Sequence, residues 1–183
     1  MRKFDLEAFK NHKKDNTNHC RYNTINAQGD NVEIYLIEHN DCYQESIIYL
    51  NTPIKKRYKY DKKTLNLTKE IESFYDCVIG FQREYNEQQE LIKEINHDKP
   101  YPFSWQDLVQ KMKHEYGINL MDEKDQIRNN NYVSSLSRSF QLMKYFIDIP
   151  CTFIPHGIRE EKFEIDASTG RTLFYVGNRK KIN

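Results

Sequence analysis

The sequence lacks any apolar run near the ~20 residues a membrane-crossing helix needs, which excludes a helical membrane span. Its start, MRKFDLEAFK, is basic but is not followed by an apolar stretch, so no signal peptide is visible and a cytoplasmic protein is expected. With 6 Gly and 5 Pro in 183 residues, collagen-like and low-complexity classes fail. The four cysteines, Cys20, Cys42, Cys77 and Cys151, are separated by 22, 35 and 74 residues with no CxxC, so no zinc site is indicated. They are expected to be free and mostly buried thiols. Charge of one sign is lacking as well: 28 basic against 27 acidic residues leave +1. Neither the basic excess of a nucleic-acid binder nor the acidic excess of a nucleic-acid mimic is present. Only 3 Ala stand beside 17 Asn and 19 Lys, a bias that carries no chemistry.

Aromatics are abundant. Thirteen Tyr, 10 Phe and 18 Ile supply a core and argue against disorder. The length fits one domain, with possible sub-units at 20–99 (β-meander) and 100–183 (helix plus C-terminal strands). Residues 1–19 read as a short helix or strand and a polar loop. RYNTI and NVEIYLIEH read as strands around an AQGD turn with Gly29 at positive φ, and Val32, Ile34 and Leu36 alternate as a buried face. CYQESIIYL is a further strand, ending near Pro53. Two segments then repeat a pattern. RYKYDKKTLNLTKEI and REYNEQQELIKEI share aromatic, acid or amide, turn, Leu, Lys-Glu and Ile, with Tyr60 matched to Tyr85, Leu67 to Leu91 and Ile71 to Ile95. Each makes sense as a β-hairpin, and consecutive hairpins should stack into a meander because one alone cannot bury a face. The basic start of the first copy (55–63) is expected to be neutralised by the acidic segment that follows (Glu70, Glu72, Asp76, Glu84, Glu87).

The clearest helix is 105–116. Ser104 is its N-cap, Asp107 sits in its first turn, and Trp105, Leu108, Val109, Met112 and Tyr116 form one apolar stripe before Gly117. Residues 118–131 read as a loop, and 132–144 suit either a helix or a strand. Residues 145–176 read as strands, with Pro150 marking an edge strand or a bulge. His156 and Gly157 read as a turn, and Asp166–Gly170 as another. The fold class is α+β: an antiparallel β-meander with one main amphipathic helix packed on the sheet.

The hairpin copies at 58–71 and 83–95 resemble MORN-type or YD-type repeats of bacterial polymorphic toxin and antitoxin systems, with Lys62–Lys63 and Gln88–Gln89 where those repeats usually turn on Asn-Gly. The C-terminal part resembles a PepSY-type unit: a helix from Trp105 to Tyr116, then strands ending in the turn Asp166, Ala167, Ser168, Thr169, Gly170. As a whole the chain is similar to the small immunity proteins encoded beside secreted toxins. That resemblance implies a protein that binds and neutralises a cognate toxin by occlusion, not an enzyme.

No catalytic, cofactor-binding or metal-binding residue is assigned. Tyr58, Tyr60, Arg83 and Tyr85, the aromatic and arginine positions of the hairpins, are the candidate partner-binding residues, since Tyr gives large contact area at low entropy cost. Two alternatives stay open. One is a hydrolase whose site assembles in space from Cys20 or Cys151 with His97 or His156. The other is a nucleic-acid module using KKRYKYDKK (55–63), with Tyr58 and Tyr60 stacking on bases; against it stands an exposed strand edge whose lysines discourage aggregation. His19 and Cys20 are adjacent and should point to opposite faces of a strand. Asp166, Thr169 and Gly170 read as a plain turn before a phosphate cradle, Trp105 as core before a binding hot spot, and Asp122–Glu123 and Glu160–Glu161 as solvated surface.

Overall fold

The computed structural model describes residues 2–122, 135–150, 160–177 and 182, with the backbone alone at 150 and 160. Cys151, His156, Gly157, Glu123 and residues 132–134 lie outside the described residues. The elements run α1 (Leu6–His12), β1 (His19–Ile25), β2 (Asn31–Glu38), β3 (Cys42–Tyr49), β4 (Ile54–Asp61), β5 (Leu67–Phe74), β6 (Cys77–Tyr85), β7 (Leu91–Asn96), α2 (Trp105–Tyr116), β8 (Ser135–Ser139), β9 (Lys144–Pro150), β10 (Glu160–Asp166) and β11 (Thr172–Val176).

The strands form two sheets rather than one. Seven pair in chain order, β1 to β7, and four pair as β11-β10-β9-β8. Both are meanders, in which strands consecutive in the chain pair as neighbours in the sheet. The chain divides into two compact units: Met1–Leu50, Ile54–Ser73 and Val78–His97 make the first, and Asn51–Pro53, Phe74–Cys77 and Asp98–Asn183 the second.

In the first unit, alternation builds the core. Cys20, Val32, Ile34, Leu36, Tyr43, Tyr60 and Leu67 share a buried cluster with Phe4 and Phe9. Phe4 stacks on Tyr43 with ring centroids 4.3 Å apart, and Phe9 meets the same ring edge-on at 5.8 Å. Asp5 caps α1 by accepting from the Ala8 N–H at 2.8 Å. The Phe4 N–H donates to the Leu65 carbonyl at 2.9 Å, which ties the N-terminal segment to the β4–β5 turn.

The repeat resolves into hairpins β4–β5 and β6–β7, with turns that need a left-handed residue but not glycine: Leu65 (φ 60°) and Gln89 (φ 65°). The Asn86 turn copies the Asn26 turn. In both, the Asn N–H donates to the residue four on, and the Asn Oδ1 accepts the N–H of that same residue. The Asp61 turn copies the Asp166 turn. Asp61 Oδ1 accepts the N–H groups of Lys63 and Thr64, and Asp166 Oδ1 accepts those of Ser168 and Thr169. The Asp166–Gly170 motif is therefore a hairpin turn used twice in this chain, and its amides are already occupied by a carboxylate.

In the second unit, α2 has the expected caps. Ser104 Oγ accepts from the Asp107 N–H, the Asp107 carboxylate accepts from the Ser104 N–H, and Gly117 takes φ 65°. Tyr116 packs edge-on against Phe163 at 4.9 Å and shares a 2.9 Å hydrogen bond with Thr172. Trp105 is half-buried beside Phe74 at 4.9 Å.

One open segment is assigned and two expectations are corrected. Within 132–144, open between helix and strand, residues 135–139 are strand: Leu136 and Arg138 share one face, paired with buried Ile147 and Tyr145, and a turn through Met143 (φ 49°) follows. Pro150 does not mark an edge: β9 lies between β8 and β10, and the proline is its last residue, where a missing N–H is tolerated. Residues 55–61 are not an edge strand either, since β4 is the fourth strand of seven.

A side chain at Gly170 would meet both a left-handed backbone (φ 74°) and the Phe103 ring, whereas Gly29 (φ 88°) has open space around it. Gly29→Ala should cost about 1–2 kcal/mol from backbone conformation alone. Gly170→Ala should cost more, and urea denaturation of the two variants measures the difference.

Candidate functional site

The period of two in β4 divides the basic-aromatic run between the two faces of the sheet. Tyr43 pairs with Tyr60, Glu45 with Tyr58 and Ile47 with Lys56, so these lie on the inner face with the core. Gln44 pairs with Lys59, Ser46 with Arg57 and Ile48 with Lys55, so these lie on the outer face.

On the inner face, three of the four candidate residues converge on Glu70. The Tyr85 hydroxyl donates to Glu70 at 2.8 Å, and Arg83 Nη1 donates to the same oxygen at 3.2 Å. Arg83 Nε donates to Glu94 at 2.8 Å from the paired strand. Glu70 and Tyr58 line one shallow cavity of about 140 Å³ with Lys56, Glu72, Phe81 and Arg83. Phe81 is 43% exposed and, with Ile71, supplies the aliphatic and aromatic rim of a basin that also holds four charged side chains. Burial, reinforced by the Glu70 acceptor, pushes the Tyr85 hydroxyl up to about 12. Burial also raises Tyr58, whose ring lies 4.1 Å under the Arg2 guanidinium. The Glu94 and Glu70 hydrogen bonds raise Arg83 further, so its charge is fixed at every working pH.

Tyr60 does not join this group. It is fully buried, and its hydroxyl donates to Glu45 in a short contact while accepting from Arg2 Nε at 2.8 Å. Arg2 Nη2 closes the network on Glu45 at 2.7 Å. Tyr60 is thus a core residue and is withdrawn from the partner-binding set; the pattern of alternating tyrosines did not show which of them the N-terminal Phe4 would cover. Glu70, Phe81 and Arg2 were missed. Glu70 was legible only as part of an acidic run, and nothing local linked Arg2 to residues over 40 positions away.

The cysteine–histidine reading fails where it is described. Cys20 is on β1 and His97 just follows β7, six strand spacings apart, or roughly 29 Å along the sheet. His97 Nε2 instead sits 3.3 Å from Gln82 Oε1. Cys20 is buried and His19 exposed, as alternation requires. Cys20, Cys42 and Cys77 are free and buried, and burial raises all three thiols, Cys77 to about 12. The Cys151 and His156 versions lie outside the described residues. Among the described residues, no three His, Cys, Asp or Glu side chains are grouped to hold a metal ion, and no helix is long and apolar enough to cross a membrane.

No protein-family model, curated protein or solved structure matches the chain.

Two outcomes follow. A raised thiol is protonated at neutral pH, so iodoacetamide at pH 7.5 should leave Cys20, Cys42 and Cys77 of the folded chain unmodified, and mass spectrometry after urea should show all three labelled. Tyr60→Phe leaves Glu45 and Arg2 without their shared hydroxyl and should cost about 1.5–3 kcal/mol by urea denaturation at pH 7. Tyrosines raised in the folded state release their protons first when unfolded. Stability is therefore full below about pH 10 and falls as pH climbs toward 12, and Tyr60→Phe should flatten that alkaline loss.

Proposed function

We propose that the protein is an immunity-type binding module: it neutralises a cognate secreted bacterial effector by covering the effector's working surface, acts in the cytoplasm, and performs no catalysis of its own. The observation that carries this reading is the Glu70-centred cluster. Tyr58, Arg83 and Tyr85 are the residue types that dominate binding energy at interfaces, and here they are held in place by hydrogen bonds and cation–π contact on a rigid sheet. Side chains already ordered lose little entropy when a partner arrives, which is the main route from a modest area to a tight complex. Phe81, half out of the surface beside them, supplies an apolar contact that water leaves readily. In this reading α2 is the main amphipathic helix backing a sheet, through Tyr116 against Phe163 and Tyr175, and it stiffens the second unit.

The nucleic-acid reading is weaker on the same geometry. A single strand would need cations and stacking rings on one surface. Here Tyr58 and Tyr60 face inward while Lys55, Arg57 and Lys59 face outward.

The test is calorimetric titration of the full chain with the effector encoded beside its gene. Wild type should bind at micromolar Kd or tighter, and Arg83→Ala and Tyr85→Ala should each weaken binding at least tenfold, about 1.4 kcal/mol or more. Separate peaks on gel filtration at micromolar concentration would overturn the proposal.

A further inference from the structure

The outer face of the first four strands has a charge pattern that the inner-face cluster does not use. Register places three rows across it: Asn23, Glu33, Ile48, Lys55; then Arg21, Tyr35, Ser46, Arg57; then His19, Ile37, Gln44, Lys59. Across these rows four cations meet one carboxylate, Glu33, and that carboxylate is engaged by Arg21 at 3.5 Å. Arg57 and Lys59 are exposed and Lys55 is half-buried. Lys59 reaches the exposed Asp41 at 3.5 Å and the Cys42 thiol. Among the described residues neither Lys55 nor Arg57 has an ion-pair partner.

This is not what the order of charges along the chain suggests. The acidic residues that follow β4 are spent elsewhere. Glu70 is held by Arg83, Glu84 by Lys69 and Lys93, and Glu72 faces Lys56 on the inner side. The expected neutralisation therefore reaches Lys56 and, among the described residues, leaves Lys55 and Arg57 of the outer row of β4 without a carboxylate. A chain of net charge +1 has concentrated a local excess on one face of the sheet.

We infer that this outer face is a docking surface for an acidic protein segment whose carboxylates stand at alternate positions of an extended strand. Lys55, Arg57 and Lys59 are two residues apart along β4, so their charges repeat at about 6.8 Å and span about 13–14 Å. Carboxylates at every second residue of an extended segment repeat at the same interval, so each cation meets one anion without distortion. Half-buried Ile48 lies directly beside Lys55 and gives such a segment an apolar contact next to its charges. A nucleic-acid strand meets the same cations but finds no free ring to stack on: Tyr35, the aromatic in these rows, already has the Arg21 guanidinium 4.4 Å over its face. Complementary rows of this kind act mainly on association rate and orientation, and they weaken steeply with salt.

The inference goes beyond the effector reading, which rests on the opposite face. Its test contains no effector, so either can fail alone. Fluorescence anisotropy of the full chain at about 20 mM salt would use three labelled probes. They are an extended peptide with Glu at three alternate positions, the same peptide with Gln in their place, and an oligothymidylate of about 12 nucleotides. The Glu peptide should bind at least tenfold tighter than the Gln peptide and tighter than the oligothymidylate, and should weaken at least tenfold at about 200 mM salt. Lys55→Gln/Arg57→Gln, folded by circular dichroism, should lose at least tenfold for the Glu peptide, while Arg83→Gln stays within twofold of wild type. No binding, equal binding by the double variant, or tighter binding of the oligothymidylate would overturn it.

Discussion

The alternation of side chains along β4 is the constraint on which the rest of the first unit depends. A strand sends successive residues to opposite faces, so one run of lysines and tyrosines becomes two surfaces with different chemistry. Tyr60 and Tyr58 go inward, the first into the core and the second to the margin of the Glu70 cavity. Lys55, Arg57 and Lys59 go outward. A slip of one residue would bury three cations and expose two aromatic rings, an exchange far larger than the net stability of a domain of this size. The register is therefore held by the core, and both proposed surfaces inherit their order from it.

What fixes the inner face is a polar network, not apolar packing alone. The Tyr60 hydroxyl is buried and joins Glu45 to Arg2, and the Phe4 ring stacks over the neighbouring Tyr43. This brings the N-terminal segment onto the sheet and satisfies a hydroxyl and a carboxylate that would otherwise be costly to bury. The cover extends over the first four strands. Beyond it, around Glu70, the inner face is left with an open basin whose aromatic and arginine side chains are already oriented.

Much of this was readable from local rules, and the rest was not for identifiable reasons. The hairpins, the Ser104–Asp107 capping box, the glycine turns at Gly29 and Gly170, and the burial of Val32, Ile34 and Leu36 follow from short-range patterning. The division into two sheets is not local, because no sequence signal says with which strand β8 or β9 pairs. Pro150 was misleading, since a proline suits the end of an interior strand as well as an edge. Within the candidate site, Tyr58, Arg83 and Tyr85 were visible as repeated aromatic and basic positions. Their convergence on Glu70 required the register of three strands. Tyr60, by sequence the equal of Tyr58, lies under Phe4, a residue over 50 positions away, and no periodicity reports that.

The most direct measurement is residue-resolved chemical footprinting of β4 in the folded chain: tyrosine iodination and lysine acetylation, read together by mass spectrometry. This assignment of faces predicts that Lys59 is acetylated in the folded chain while Tyr60, one residue along, resists iodination until the chain is unfolded. Iodination of Tyr60 in the folded chain as fast as that of an exposed tyrosine, with Lys59 protected, would place the two faces the other way round and contradict it.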